Sequence, residues 1–473
     1  MARWWFWRLS LVVTAAGFCS QFQVYHLSAV NNVLDVAMKA LMEEFGYDKI
    51  EAENQWAIAT GAVSFGAVLG MLCGVLADII GRRGALLLAA FVLLLAGVLI
   101  VICQLLGTFM LVIVGRALAG WAMGVGISAA SLLIVESAPT DHRGLFSAAA
   151  LSFFGFGDLA GLLATLPELL GTRSSWPVAL AIGCLPAIVA LPIIAFSPDS
   201  PRFLFLNRKN LQEAEKALMF YQGRVNAQRT REDLMDEETI YQQSKVTFFD
   251  LLRNRITRKS LLLACLVTGG GQVTGLAFVI AYSTFIAQQA GASHELATRL
   301  SIFCGIVKFV FGYVPVVLLE KCGRRPVALC GIAICAVAHS LAVLFLLTLQ
   351  TSLLCAVLVA LTFALTMIGY SLLIGAAYTY AAELFQQTSR AKALIVSNCS
   401  VWLVNAIIAV TFLPMVERAG VVLAIAPYAV LSWALFAVCY SVLPETKGLT
   451  FAQIANTVHN DDENSRLATI TDE

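Results

Sequence analysis

The chain has 473 residues, of which 59% are hydrophobic and 13% charged, about half the charged fraction of an ordinary soluble domain. That excess of apolar surface excludes a water-soluble fold, and a net charge of +1 leaves no electrostatic footprint for nucleic acid. Its twelve cysteines, Cys73, Cys103, Cys265 and Cys355 among them, fall in apolar runs and read as packing residues, not as a disulfide framework.

The N-terminus sets Trp4, Trp5 and Trp7 beside Arg3 and Arg8, a combination suited to the lipid headgroup level. It continues into an apolar stretch without a small-residue cleavage site, so a retained first helix is expected and not a cleaved signal peptide. A bilayer core about 30 Å thick takes roughly 20 apolar residues per helix. Runs of that length are expected to span near 10–31, 56–78, 85–106, 108–135, 145–167, 176–196, 260–289, 296–319, 326–348, 352–381, 391–414 and 420–443.

After the sixth run comes a long polar segment carrying Arg202, Arg208, Lys209, Lys216, Arg224, Arg253, Arg255, Arg258 and Lys259, which the positive-inside rule places in the cytoplasm with both termini. Within it Asn210 and Glu213 read as a capping box opening a short helix through Met219. The expected architecture is an all-α integral membrane protein of twelve transmembrane helices in two six-helix halves. Residues 1–196 form the N-terminal half, 197–259 a cytoplasmic linker with short helices, 260–443 the C-terminal half and 444–473 a cytoplasmic tail, acidic at Asp461-Asp462-Glu463. No organelle signal is visible, which makes the plasma membrane the default location.

The halves repeat each other. Asp78-Ile79-Ile80-Gly81-Arg82-Arg83 follows the second span and Glu320-Lys321-Cys322-Gly323-Arg324-Arg325 the eighth. Glu136 precedes Arg143 by seven residues after the fourth span, and Glu383 precedes Arg390 by seven after the tenth. Matched motifs at matched places imply duplication, as in transporters built from two six-helix halves.

With Gly115-Arg116-Ala117-x-x-Gly120, Pro198-Asp199-Ser200-Pro201-Arg202 and Pro444-Glu445-Thr446-Lys447-Gly448, these motifs carry a resemblance over essentially the whole chain. It resembles the sugar porters, the facilitative glucose transporter-like family of the major facilitator superfamily. The resemblance implies a secondary transporter of a small polar, sugar-like solute, working by alternating access in the lipid bilayer. It also implies a gate at the cytoplasmic helix ends. There Arg82, Arg83, Glu136, Arg143, Glu320, Arg324, Arg325, Glu383 and Arg390 form the acid–arginine pairs that latch the two halves, and Asp78 and Arg116 complete the gating candidates. Exposed pairs contribute little singly, so a network is needed to bias two comparably populated states.

The binding site departs from the family pattern. Of the family's usual amides only Gln272 remains, in Gly271-Gln272; Leu151, Ala277, Lys308 and Val401 occupy other amide positions, and Tyr378 the tryptophan position of the tenth helix. Sugar hydroxyls left unpaired would cost about 1–3 kcal/mol each. Lys308 in mid-span and Asp158 in the fifth span are ionisable groups inside the membrane, which mark functional sites by default. The family's fold sets these two helices face to face. Three readings stand: a structural ion pair; Lys308, alone or with Arg116, neutralising an anionic substrate; and a zwitterion site or proton coupling through Asp158. His26, beside Arg116 in that fold, reads either as a neutral hydrogen-bonding group or as a proton switch.

Gln21, Gln23, Asn31, Ser64, Thr274, Tyr282 and Asn405 are polar residues on helices that line the family's cavity; Thr274, Tyr282 and Asn405 join Gln272, Lys308, Asp158, His26 and Tyr378 as substrate-binding candidates. Asn398-Cys399-Ser400 fits the glycosylation pattern but lies inside a span. No metal, nucleotide or nucleophile motif is present, so neither cofactor nor enzymatic chemistry is expected, and nothing bears on oligomeric state. A carrier of an organic anion or zwitterion, or a non-transporting solute sensor, are the alternative readings.

Overall fold

A computed structural model describes residues 4–223, 248–349, 351–385, 387–449 and 453–454; Arg224 and the acidic Asp461-Asp462-Glu463 run lie outside them. Nine described helices are each long and apolar enough to cross a membrane. A tenth crossing is made by His294–Phe311 and Val314–Cys322, bent by 44° at their junction. The helix Gln387–Val442 is two spans, divided where Gly420 takes a φ of 84°. The twelfth crossing is the first span, broken into Trp4–Phe18, a 3-10 turn at Gln21–Val24 and Tyr25–Ser28, with Leu34–Glu43 continuing beyond it. An even number of crossings puts Trp4, the linker helix and Leu449 on one side, the linker face; the other is the distal face.

The first span therefore begins at Trp4, ahead of residue 10, with Trp4 and Trp7 exposed and Trp5 edge-on to His142 at 5.5 Å. The seventh span begins at Arg255 and is not continuous. It breaks at Gly270–Thr274, and Leu276–Gln289 restarts after Gly275. Three successive glycines, Gly269 to Gly271, give this stretch poor helix propensity within an otherwise apolar run.

Three helix starts on the distal face are capped by side chains. Asp48 Oδ1 accepts from the Glu51 backbone N–H at 2.7 Å and Glu51 Oε2 from that of Asp48 at 3.3 Å, a capping box opening the second span. Ser293 and Ser352 cap the eighth and tenth spans. The linker helix runs over 211–223, and Asn210 Oδ1 accepts from the Glu213 N–H at 3.1 Å. It is fastened to the N-terminal half by Tyr221 OH donating to the Pro198 carbonyl at 2.5 Å and Gln222 Nε2 to the Ser137 carbonyl at 3.1 Å.

Buried apolar residues show how the halves meet. One large cluster fills the distal end and is continuous across both halves, from Phe22, Trp56 and Trp176 to Phe278, Phe412 and Tyr428. Towards the linker face it is replaced by two clusters, one per half: around Leu86, Leu133 and Ile194 in the first, around Ile332, Leu373 and Leu443 in the second. The halves are thus packed together distally.

Candidate functional site between the halves

Hydrogen bonds repeat that distal joining. Asn31 Nδ2 donates to Ser283 Oγ at 2.8 Å, Asn31 Oδ1 accepts from the Thr284 N–H at 3.0 Å, and Thr284 Oγ1 donates to Asn32 Oδ1 at 2.7 Å. Further out, Gln288 Nε2 donates to Asp35 Oδ2 at 2.9 Å, and His294 Nδ1 lies 3.4 Å from the same oxygen. Between the second and eleventh spans Lys49 meets Glu417 at 3.2 Å, and Ser64 Oγ donates to Asn405 Oδ1 at 2.7 Å. All of these lie between the midplane and the distal face.

At the midplane Lys308 Nζ sits 2.9 Å from Asp158 Oδ2, joining the eighth span to the fifth. Their side chains are 15% and 4% exposed. The other oxygen, Asp158 Oδ1, is buried with no hydrogen-bond partner. The fifth span is held tightly against the first: a Cβ at Gly157 would strike the Phe22 carbonyl, and one at Gly161 the Ser28 hydroxyl. Ser28 Oγ donates to the Asp158 carbonyl at 2.8 Å and Asn32 Nδ2 to the Leu162 carbonyl at 2.9 Å.

Other sequence candidates separate into small groups. Arg116 is fully buried, with Nε donating to the Ala59 carbonyl at 2.6 Å, Nη2 to the His26 carbonyl at 2.9 Å and Nη1 without a partner. His26 Nε2 lies 3.6 Å from Cys184 Sγ, and its Nδ1 has no partner. Gln272, in the broken seventh span, donates through Nε2 to the Tyr370 hydroxyl at 2.5 Å, while Gln272 Oε1 is unpartnered. Tyr282 OH donates to the Ala409 carbonyl at 2.9 Å, tying the seventh span to the eleventh, and Thr274 Oγ1 to the Gly271 carbonyl at 2.7 Å, within the 3-10 turn itself. Tyr378 is half-buried on the tenth span.

At the linker face each half carries a clasp of the same design. Arg82 grips Glu136 through two hydrogen bonds of 2.9 Å, is 3.1 Å from Asp78, and donates through Nη1 to the Ala77 carbonyl at 3.0 Å. In the C-terminal half Arg324 grips Glu383, Nη2 donating at 2.7 Å, and its Nη1 donates to the Leu319 carbonyl at 3.2 Å. Asp199 Oδ1 accepts the backbone N–H groups of Arg82 and Arg83 at 3.0 and 3.1 Å, and Glu445 accepts those of Arg324 and Arg325 at the same distances. Ser200 donates to Glu136 as Thr446 does to Glu383. Arg83 and Arg325 each donate to a backbone carbonyl, of Ala195 and Tyr440. The turns close with Gly81 at φ 91° and Gly323 at φ 96°. Both glycines are required twice over, by that backbone and because a Cβ would collide with the Asp199 or Glu445 carboxylate.

The acids thus meet Arg82 and Arg324, across two helices, and not the arginines seven residues downstream. Arg143 and Glu320 are exposed and form no ion pair among the described residues, and Arg390 Nη2 donates to the Phe385 carbonyl at 3.3 Å. Each clasp joins elements of one half, so in this conformation neither bridges the halves. The sequence matched Asp199-Ser200 and Glu445-Thr446 as signatures but did not place them in the gate; the signal available was the same acid–hydroxyl pair following the sixth and the twelfth spans.

The two equivalent carboxyls are displaced from their ordinary values in opposite directions. Burial raises Asp199 above the ordinary carboxylate range despite the N–H groups of Arg83, Ser200 and Arg82. At Glu445 burial also raises, but the backbone N–H groups of Arg324, Lys447, Thr446 and Arg325 outweigh it and hold the carboxyl below that range.

Comparison with known proteins gives a concordant result. The family model described as "Sugar (and other) transporter" matches residues 9–457. Human solute carrier family 2, facilitated glucose transporter member 4, is 30% identical over 410 residues, covering 85% of this chain and 79% of that protein. The rat member 5 is 26% identical over 468 residues, covering 94% and 91%. Among solved structures, the inward open conformation of the xylose transporter XylE from E. coli superposes with a TM-score of 0.78 at 18% identity, covering 95% of this chain and 99% of that one. A partially occluded inward open form of the same transporter gives 0.77 at 17% identity, covering 93% and 99%.

Proposed function

Because this chain belongs to the sugar (and other) transporter family, we propose that the solute it carries is a sugar or a sugar-like polyol, moved by alternating access without covalent chemistry. The observation that carries this is the family match over nearly the whole length of a chain whose halves are packed together at one end only. Rocking the halves about the midplane would unpack the distal cluster and bring the linker-face ends together. The linker-face clasps then act as rigid end plates that present charge to the opposite half, with Arg143 and Arg390 exposed and available for that meeting. In this reading the linker face is cytoplasmic, as its lysines and arginines favour, and the protein resides in the plasma membrane.

The substrate lies between the halves, with Gln272 and the Tyr370 hydroxyl it contacts, Tyr378, and the Asp158–Lys308 pair as binding groups. Tyr282, Thr274 and Asn405 support the helices around it, and His26 orders Arg116 through its carbonyl. Lys308 is already neutralised by Asp158, which argues against an unpaired cation waiting for an organic anion, and the relatives named above are transporters, which argues against a sensor.

Saturable uptake of a radiolabelled sugar from a panel of hexoses, pentoses and polyols into proteoliposomes tests the reading. Accelerated exchange when the unlabelled sugar is inside would support alternating access. Folded protein that moves none of them would overturn it.

A further inference from the structure

Resting on the reading that a sugar-like polyol is the cargo, we propose that Asp158 and Lys308 together bind a vicinal diol of the neutral substrate. In this the ion pair takes over the work that amide side chains would do.

Two charges in the membrane core are costly unless paired and further hydrogen-bonded. The pair meets the first condition and not the second: Lys308 Nζ donates to Asp158 Oδ2 at 2.9 Å, while Asp158 Oδ1 is buried and unpartnered. An ammonium has three donors and a carboxylate about four acceptor sites. The contact between them uses one of each, so donor and acceptor capacity is left unused on neighbouring atoms where the fifth and eighth spans meet.

A ligand that fits must donate to Oδ1 and accept from Nζ at neighbouring atoms. An anionic group would face Oδ1 and a cationic group Nζ, each a like-charge contact in a medium of low dielectric. A vicinal diol does both jobs on adjacent hydroxyls and leaves the net buried charge at zero. Amides bind hydroxyls by the same donor–acceptor logic, which explains why the chain can dispense with them at Leu151, Ala277 and Val401.

The carboxylate is also positioned in advance. Gly157 and Gly161 let the fifth span lie against the first, and Ser28 and Asn32 hydrogen-bond its carbonyls at Asp158 and Leu162. Gly155 brings Phe309 against the fifth span, a Cβ there meeting that ring at 3.0 Å, which fixes the turn of the eighth span carrying Lys308. Because the two charges belong to different halves, a diol bound to both is held by both.

The test uses full-length protein in proteoliposomes, with whichever of D-glucose, D-fructose, D-xylose and myo-inositol gives the highest flux, together with its monodeoxy analogues. Asp158→Leu/Lys308→Met replaces the pair by apolar groups, and Asp158→Asn/Lys308→Gln by an amide pair. The apolar variant should keep the melting temperature of the wild type and raise KM by about tenfold or more, and the amide variant should stay within about threefold. The deoxy analogue that weakens binding to the wild type should bind the apolar variant no worse than the parent sugar. An unchanged KM in the folded apolar variant makes the pair purely structural and overturns the proposal. If the apolar variant does not fold, the amide variant decides. A changed ranking of the deoxy analogues supports diol binding at the pair, and an unchanged ranking overturns it. Absence of flux in the wild type would instead overturn the transport reading together with this one.

Discussion

Asn31 of the first span and Ser283 of the seventh meet across the boundary between the halves, Asn31 Nδ2 donating to Ser283 Oγ at 2.8 Å. The same amide accepts from the Thr284 N–H at 3.0 Å, so one side chain ties two consecutive residues of the opposite half. Both ends are buried, and each bond contributes about 0.5–1.5 kcal/mol net. Replacing Asn31 by Leu removes both and is expected to shift the population towards a distally open form by about 5- to 150-fold. Spin labels at the exposed distal residues Glu168 and Arg299 should report a longer distance. An unchanged distribution would mean that these bonds do not set the equilibrium.

The two clasps share a design but not a degree of burial. Arg82 and Glu136 are 8% and 5% exposed, Arg324 and Glu383 19% and 28%. Removing one partner of a buried pair leaves an uncompensated charge, at about 3–5 kcal/mol, whereas a more accessible arginine is rescued by water and loses about 1.5–3 kcal/mol of charged hydrogen bonding. Glu136→Gln is therefore expected to lower thermal stability more than Glu383→Gln. Equal losses in a thermal-shift assay would show that burial does not separate the clasps.

Charge reversal tests the gate itself. Glu383→Arg places two cations against each other at the linker end of the C-terminal half and dismantles the surface that half would present when the linker ends meet. Uptake should fall and the protein should accumulate with its linker face open, read as increased labelling of a cysteine introduced there. Full uptake would remove Glu383 from the gate.

The duplicated clasps were legible because their chemistry is local: a left-handed turn needs Gly81 and Gly323, and the arginines follow at once. What the clasps hold was less so. Spacing suggested Glu136 with Arg143, but the acid sits at the end of one helix and its partner Arg82 at the start of another, a meeting set by packing. The break at Gly270–Thr274 was hidden because three glycines within an apolar run leave mean hydropathy nearly unchanged. Asp158 and Lys308 were found because a charge in a span is conspicuous in any register. By contrast, Tyr370, Ser283 and Thr284 look like ordinary residues of apolar helices until a partner 98 or more residues away arrives.

Glu445 and Asp199 give the clasps opposite pH signatures. The folded Glu445 carboxyl is held below its ordinary value of 4.5, so the stability it contributes is present above that value and is lost as pH falls through the depressed one. Asp199 is raised above 3.8, so its contribution is present below 3.8 and is lost as pH rises through the raised value. Glu445→Gln should melt below the wild type at pH 7, with the gap closing under pH 4.5. Asp199→Asn should melt at or above the wild type at pH 7, its advantage shrinking as pH approaches 3.8. Melting curves of both variants against pH check the pair, and gaps of the same sign would contradict the opposite shifts.

The clasp of the N-terminal half is carried on a frame of closely packed helices. The second and fourth spans cross in backbone contact: a Cβ at Gly120 would fall on the Val63 carbonyl, and one at Gly66 on the Ala117 carbonyl. Neither obstacle is the movable end of a side chain, so the helices themselves must separate to admit a methyl group. Overpacking of this kind costs about 1–3 kcal/mol, and small residues are what allow close helix approach within a bilayer. The displacement would reach Arg116, whose Nε donates to the Ala59 carbonyl of the second span at 2.6 Å across the same crossing. Gly120→Ala is thus expected to lower the yield of folded protein and, in what does fold, to reduce uptake by loosening Arg116. Gly144→Ala, at an exposed helical position at the start of the fifth span where a Cβ meets nothing within 4 Å, serves as the control for glycine replacement as such. Equal yields for the two variants would show that the second and fourth spans can part at no cost.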